Sequence, residues 1–183
     1  MKANLKRATA SLVVLLGLLV FSPLSVMGAA GQIPAQSEQY IQRQVLHQLR
    51  MLPYYTIFDD LSFNVQGDTV VLSGQVTNPV LKSDAANVVK RIEGVQRVVN
   101  NIEVLPVSNF DDRIRIAEYR AIYSSPGFEK YFQANPPIHI IVKNGHVKIT
   151  GVVANQMDKN LAGIRANGVP GVFSVENDLR VEG

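Results

Sequence analysis

"VVLSGQVTN", residues 70–78, alternates apolar and polar side chains, which is typical of a β-strand with one buried face. Gly74 falls on the apolar side of this strand, where a core strand normally carries a large side chain. "VKITGVVAN", residues 147–155, repeats the pattern with Gly151 placed 77 positions later. A glycine that recurs in a repeated strand predicts a structural role. We expect either a helix that crosses the strand closely or a bulge or bend in the strand.

The spacing of 77 positions continues without a gap to the end of the chain. Twelve identities share it, from Val65 and Val142 to Val104 and Val181. A duplicated domain is the simplest cause of such a match. Asn100 and Asn177 are one of the matched pairs, and both fall on the apolar face of a strand. Because a buried amide needs hydrogen-bond partners, we expect these two side chains to bond to backbone groups.

Each repeat shows the same order of elements. A helix over 38–52, with Ser37 as its N-cap, precedes a hairpin that turns at Gly67-Asp68. A second helix over 79–92 ends before Gly94, and a third strand follows. The second repeat has a hairpin turn at Asn144-Gly145 and a helix near 156–167. Because the strands are apolar on one face only, the fold class is α+β, with two tandem α-β-β-α-β units. Each is a small three-stranded mixed sheet with two helices on one face.

The first thirty residues resemble a cleavable secretory signal peptide. A basic start precedes the apolar run "LVVLLGLLVF", residues 12–21, and small residues lie at Gly28 and Ala30. A retained membrane anchor is the alternative, although the run is short for a span. No cysteine follows the run, so a lipoprotein anchor is not expected. We predict a signal peptide over 1–30, a first domain over 31–106, a second over 107–183, and a periplasmic location.

The net positive charge of the sequence comes from this predicted signal peptide, called the leader below. The whole sequence has 18 Lys and Arg against 15 Asp and Glu, and three of the basic residues lie in the leader. The remainder has no net charge, so nucleic acid is not an expected partner. Cysteine is absent from the sequence, which excludes disulfides and thiol chemistry.

Residues for catalysis or metal binding are few. The hairpin register pairs His139 with Thr150 and His146 with Lys143, which leaves the two rings too far apart to share one metal. The pairs Asp59-Asp60 and Asp111-Asp112 are more typical of caps and turns than of cation sites, and Ser108 with Asp111 fits a capping box. The sequence predicts no enzyme, no cofactor and no metal site.

The first helix of the second repeat has an unusual distribution of side chains. In "DDRIRIAEYRAIYS", residues 111–124, Ile114, Ala117 and Ala121 form one apolar face. A second apolar face, with Ile116 and two tyrosines, lies nearly opposite and is bordered by arginines. Aromatic and basic side chains together suit an anionic lipid surface. The predicted lipid or partner contact comprises Arg115, Tyr119, Arg120, Tyr123, Phe128, Lys130 and Tyr131. The alternative is that this face packs against the first repeat or the connector that follows.

The motifs "VVLSGQV", "AANVVKRIEGVQRVVNNIEV", "VKITGVV" and "VPGVFSVENDLRV" resemble the BON domain family in both repeats. The resemblance covers residues 38–183. It implies an α-β-β-α-β fold, an envelope or periplasmic setting, a proposed role in contacting phospholipid surfaces, and no catalytic residues. The second repeat departs from the family pattern in its weaker second helix.

Two functions therefore stand as expectations. The first is a non-enzymatic exported envelope protein that contacts anionic phospholipid surfaces and supports envelope integrity or the response to osmotic stress. The second is a soluble periplasmic protein that contacts another envelope protein, or acts as a chaperone-like stress protein, without binding lipid.

Overall fold

The computed structural model describes residues 35–133 and 136–182, so the predicted signal peptide lies outside the described residues. The first repeat contains α1 (Ala35–Arg50), β1 (Asp60–Gln66), β2 (Thr69–Val76), α2 (Pro79–Val89), β3 (Arg97–Asn100) and β4 (Glu103–Val104). The second contains α3 (Asn109–Tyr123), a 3-10 turn (Glu129–Tyr131), β5 (Ile138–Lys143), β6 (His146–Val153), α4 (Gln156–Asn167) and β7 (Ser174–Val181). Because α1 begins before Ser37, that residue is not its N-cap, and this part of the prediction was wrong.

Both repeats form the predicted mixed sheet. The second strand is central: it pairs antiparallel with the first strand of its hairpin and parallel with the last strand of its repeat. In the second sheet the order is β5-β6-β7. In the first sheet the last strand is split into β3 and β4, and both segments pair with β2. Two identical hairpin-and-crossover topologies confirm the duplication predicted from the 77-residue spacing.

The helices cover one face of each sheet, as the one-sided strands predict. Asn78 and Asn155, a matched pair of the repeat, both accept a backbone N–H at the start of the second helix of their unit. In the second repeat α3 packs against β5, and α4 packs against β6, β7 and α3. The helix predicted near 156–167 is formed over those residues.

The recurring glycines lie where two strands approach closely, not where a helix crosses. Gly74 has φ +119°, and a Cβ there would lie 2.1 Å from the carbonyl oxygen of Asp60. Gly151 has φ +120°, and its Cβ would lie 1.8 Å from the carbonyl oxygen of Pro137. The hairpin register runs through both glycines without an extra residue. The close contact is therefore made by a neighbouring strand and not by a crossing helix, and no bulge is present; a local bend stays a prediction. The glycines are needed for a positive φ beside a neighbouring backbone carbonyl.

Asn100 and Asn177 are half-buried, and they bond to backbone groups as predicted. The Nδ2 of Asn100 donates to the Lys82 carbonyl at 2.6 Å, and its Oδ1 accepts from the Ile102 N–H. Asn177 makes the same pair of bonds to Lys159 and Leu179. Each asparagine thus ties the last strand of its unit to the helix above it.

Replacing Asn177 by alanine is expected to lower the free energy of unfolding by about 1–3 kcal/mol, because the Lys159 carbonyl loses its donor inside the fold. Asn167→Ala is the matched control, since Asn167 is exposed and donates only within its own helix. Urea unfolding of the two variants measures the difference. Equal losses would contradict a structural role for Asn177.

The first helices of the two repeats match at a different spacing from the strands. Leu49 and Ile122 are buried at equivalent points near the helix ends, 73 positions apart. The turns that follow keep this spacing: Tyr55 N–H bonds to the Leu52 carbonyl, and Phe128 N–H to the Ser125 carbonyl. The connector of the second repeat is therefore four residues longer than that of the first. At this spacing Val45 corresponds to Glu118, which replaces a core side chain with an acid.

Candidate interaction surfaces of the second repeat

The inner face of α3 carries charged side chains. Asp111, Arg115 and Glu118 are all buried, together with Ile114 and Ile122. The face predicted as core contained Ile114, Ala117 and Ala121, but the two alanines are only half-buried. The true inner face is rotated relative to that prediction, because Asp111 and Arg115 find hydrogen-bond partners beneath the helix.

Asp111 caps the hairpin turn. Its carboxylate accepts the backbone N–H groups of Asn144 and Gly145 at 2.9 and 2.8 Å. Ser108 caps α3 by accepting the Asp111 N–H, as predicted. The reciprocal bond of a capping box is not made, because the Asp111 carboxylate is used by the turn.

Arg115 is buried and was wrongly included in the predicted contact surface. Its guanidinium donates to the Asp112 carboxylate at 2.5 Å and to the Val142 carbonyl at 2.6 Å. These bonds direct the guanidinium toward β5 and leave only a small part of the side chain at the surface. Arg115 therefore fixes α3 to the sheet.

Glu118 has no partner among the described residues. The residue is fully buried, and neither of its carboxylate oxygens accepts a hydrogen bond there. Burial raises the pKa of Glu118 to about 8. The carboxyl group is therefore largely protonated at neutral pH.

The predicted contact surface contains three aromatic residues besides Tyr119, and all three are buried. Tyr123, Phe128 and Tyr131 belong to the core of the second repeat. The Tyr123 hydroxyl donates to the Ile138 carbonyl at 2.7 Å. Their burial contradicts their place in the predicted contact surface and agrees with the alternative that these side chains pack inside the protein. They are covered by the connector that follows the helix and by Ile57 and Phe58 of the first repeat.

Asp158 organises the connector of the second repeat. Its Oδ2 accepts from the Tyr131 hydroxyl at 2.5 Å and from the Lys130 ammonium at 2.6 Å. Burial acts to raise the pKa of Asp158, but the bonds from Lys130 and Tyr131 outweigh it and lower the pKa below its usual value. The Tyr131 hydroxyl in turn accepts the Ala154 N–H, so the connector is fixed to the end of β6.

Three predicted contact residues remain at the surface. Arg120 and Lys130 are exposed, and Tyr119 is half-buried. Lipid or partner contact stays a prediction for these three. Arg113, Ile116 and Arg120 share the outward side of α3, at the spacing of successive turns.

The outward side of α4 carries an apolar stripe that is not among the predicted contact residues. Met157 is 77% exposed and Ile164 is 68% exposed, with Leu161 half-buried between them. In the first repeat the corresponding positions hold Val80, Asp84 and Asn87. Two of the three positions have therefore changed from polar to apolar. Comparing the outward positions of α2 and α4 at the 77-residue spacing shows this difference in the sequence itself.

Three exposed basic residues lie on the two helices of this layer. Arg113 and Arg120 on α3 and Arg165 on α4 are exposed, and none has an ion-pair partner among the described residues. Because α3 and α4 pack side by side on one face of the sheet, their outward side chains share one surface. We call the set Arg113, Ile116, Arg120, Met157, Leu161, Ile164 and Arg165 the helix-layer surface.

A family model described as the BON domain matches residues 37–106 and 127–183. These two matches cover both sheets and most of the described chain. The chain belongs to the BON domain family. The second match begins after α3, so the helix that carries Arg113, Ile116 and Arg120 lies outside it.

Solved structures similar to this BON-domain protein include two from Chlamydia trachomatis. One is described as CdsD, a structural protein of the type III secretion system: it is 13% identical, has a TM-score of 0.33, and the match covers 78% of this chain and 92% of that one. The other is the C-terminal domain of CdsD, which is 14% identical with a TM-score of 0.27, covering 77% and 96%. No curated protein matches the chain at a significant level.

The two BON domains contact each other directly. The Ile140 N–H on β5 donates to the Ile57 carbonyl at 2.7 Å, and the Lys143 ammonium lies 2.5 Å from the Glu103 carboxylate. Hydrogen bonds from Lys143 and then Gln75 lower the pKa of Glu103. The first connector, residues 51–59, is thus hydrogen-bonded to β5 at one point.

Other sequence-predicted polar groups have structural positions. His139 pairs with Thr150 and His146 with Lys143, as predicted. Asp59 is buried and accepts four hydrogen bonds from Thr56 and Thr77, which confirms a role in turns for this residue. Within residues 35–133 and 136–182, no group of three acidic or histidine side chains is placed to hold a metal ion. The helices described there are also too short or too polar to cross a bilayer.

Proposed function

We propose that this protein is a non-enzymatic, exported component of the bacterial envelope whose second BON domain contacts anionic phospholipid surfaces. The observation that supports the proposal is the helix-layer surface. It combines exposed apolar side chains with three exposed arginines, and two of its apolar positions, Leu161 and Ile164, correspond to Asp84 and Asn87 in the first domain. Family membership and the leader-like residues 1–30 support the envelope setting.

The chemistry of this surface fits a lipid interface. Met157 and Ile164 are long enough to enter the boundary between headgroups and acyl chains, and burial of such a side chain contributes about 1.5–3 kcal/mol. Each arginine near an anionic surface adds about 1 kcal/mol, which salt screens. The near-zero net charge outside the leader means that this attraction is local. A role in envelope integrity and the response to osmotic stress is part of this proposal.

Vesicle flotation tests the proposal. The native protein is expected to float with vesicles that contain phosphatidylglycerol, and to do so less with phosphatidylcholine alone or at high salt. The double variant Met157→Gln, Ile164→Asn is expected to weaken binding by about tenfold or more, because it removes two insertable side chains. The second change installs the residue found at Asn87 in the first domain.

Met51→Gln is the matched control, since Met51 is 69% exposed but lies in the first connector. It is expected to bind like the native protein. Unchanged melting temperatures show that both variants remain folded. If the native protein does not float with anionic vesicles, the lipid proposal is wrong and the alternative of a protein partner or non-native client takes its place.

A further inference from the structure

A cavity of about 360 Å³ lies where the first connector meets the second BON domain. Four aromatic side chains line it, together with one aliphatic residue and one histidine: Tyr55, Ile57, Tyr119, Tyr123, Phe132 and His139. Its volume is within the range of small-ligand sites in proteins. Both domains are needed to form it, because Tyr55 and Ile57 come from the first.

The cavity is suited to an uncharged ring. No described residue that lines it is acidic, and none is Lys or Arg. Burial lowers the pKa of His139, so its imidazole is neutral at neutral pH. Tyr55 pairs with His139 at a centroid distance of 5.4 Å, and Tyr119 pairs with Tyr123 at 5.2 Å. Tilted ring pairs at such distances leave faces and edges on which a further aromatic ring can pack.

The cavity continues into a longer groove of about 850 Å³ between the domains. Tyr55, Gln133, Pro136 and His139 line both spaces. One wall of the groove consists of α1 and β1, and the other is the outer face of β6 and β7. This groove lies on the sheet side of the second domain, away from the helix-layer surface.

Residues 60–63 of β1 line the groove in succession. Among the described residues β1 pairs only with β2, so it is an edge strand of its sheet, and β5 of the second domain lies close to part of it. Along this edge every second residue directs its backbone N–H and C=O away from β2, and these groups can bond to an extended chain. A peptide can therefore pair with β1 while one of its side chains reaches the cavity.

The charges of the groove are balanced. Arg50, Lys148 and Arg180 line it with Asp60, Asp178 and Glu182. The Lys148 ammonium already bonds to the Asp178 carboxylate at 2.8 Å. A balanced groove does not favour a polyanion or an anionic headgroup, but it suits a peptide backbone, which has dipoles and no net charge.

We infer that the groove between the two BON domains binds an extended peptide segment of another protein, with an aromatic side chain of that peptide in the cavity. Shape and ring contacts select the aromatic residue, and the edge of β1 holds the backbone. The site is separate from the proposed lipid contact, so neither contact blocks the other.

Tryptophan fluorescence tests this inference without background, because the protein contains no tryptophan. The probe is the capped peptide acetyl-Ser-Thr-Val-Trp-Val-Thr-Ser-amide, and N-acetyl-tryptophanamide supplies the ring alone. We expect the peptide emission to shift to shorter wavelength on binding, with an affinity at least about tenfold higher than that of the amide. Equal affinities would show that the groove adds nothing, which overturns the inference, as would the lack of any shift.

Phe132→Ala is expected to weaken peptide binding by about tenfold, because it removes one wall of the cavity. Phe132 is 68% exposed, so the fold should persist. Phe173→Ala is the matched control: Phe173 is also 68% exposed, but it packs at the hairpin turn beyond the far end of β5. An equal loss in the control would overturn the assignment of the site. The variant Met157→Gln, Ile164→Asn is expected to bind the peptide normally, which separates this site from the lipid contact.

Discussion

Gly151→Ala is expected to destabilise the second BON domain by about 3–5 kcal/mol, which is a large share of the stability of a small domain. The added Cβ would lie 1.8 Å from the Pro137 carbonyl oxygen, at a φ of +120° that side-chain-bearing residues rarely adopt. This clash is relieved only if β5 moves away from β6. Because β6 is the central strand of its sheet, that movement disrupts the sheet. Gly74→Ala is expected to act in the same way on the first domain, through Asp60.

Thermal and urea unfolding of the full chain measure the effect. A loss of about 3–5 kcal/mol in the free energy of unfolding lowers the melting temperature of a small domain by more than about 10 °C. Gly67→Asn is the matched control, since Gly67 has φ +62° with no atom near the position of a Cβ. Asn144 occupies the corresponding turn position at φ 52°. The control is expected to stay near native stability, and a Gly151→Ala variant that does the same would disprove the close approach of the strands.

The sequence was sufficient to predict the strands, their register and the duplication. Hairpin turns such as Asn144-Gly145 and the alternation of side chains are local properties, and they set the pairing of His139 with Thr150. The role of Asn177 followed from the same alternation, because a buried amide has to find partners. These predictions use only the sequence pattern within a few residues of each position.

The reason for the recurring glycines was not predictable in the same way. The atom that excludes a side chain at Gly74 is a carbonyl oxygen on the opposite strand. Which backbone atom approaches depends on how the strand pair twists, and the sequence pattern contains no measure of that distance. A crossing helix and a bulge were equally reasonable interpretations from one strand alone.

The face of α3 was mispredicted because helical periodicity finds apolar stripes only. Asp111 and Arg115 are buried because the hairpin turn and the Val142 carbonyl supply hydrogen-bond partners. Those partners lie about thirty residues away in the chain, so no local pattern reveals them. The aromatic residues Tyr123 and Tyr131 were likewise assigned to the surface, although polar groups of β5 and α4 hold their hydroxyls inside the domain.

Glu118 is expected to make the stability of the second BON domain fall as the pH rises from about 5 to 8. Burial raises the pKa of this carboxyl from its ordinary 4.5 to about 8 in the folded protein. Between these two values the unfolded chain releases a proton that the folded domain retains. The free energy of unfolding therefore falls by about 1.4 kcal/mol per pH unit across this window. Above the pKa of Glu118 in the folded protein it no longer changes.

Glu118→Gln isolates this contribution, because the variant keeps the shape of the side chain but does not titrate. The free energy of unfolding of the native protein, minus that of the variant, is expected to decrease steadily from about pH 5 to 8. His139 acts in the opposite sense: burial lowers its pKa below 6.5, so it adds stability as the pH rises toward that value. Both proteins contain His139, so its contribution to the free energy of unfolding cancels in the difference. Above about pH 6.5 this contribution no longer changes with pH.

Glu118→Leu is expected to stabilise the second domain at pH 8 by as much as about 3–5 kcal/mol, because an apolar side chain of similar size needs no proton in the core. The first domain supplies the precedent, since its Val45 is fully buried at the corresponding position. The basic groups nearest along α3 do not offset the acid: the guanidinium of Arg115 is bonded to Asp112 and Val142. Urea unfolding at pH 5 and at pH 8 measures the gain. If both Glu118 variants follow the native pH profile, the carboxyl is ionised and solvated in the folded protein, and α3 does not pack as described.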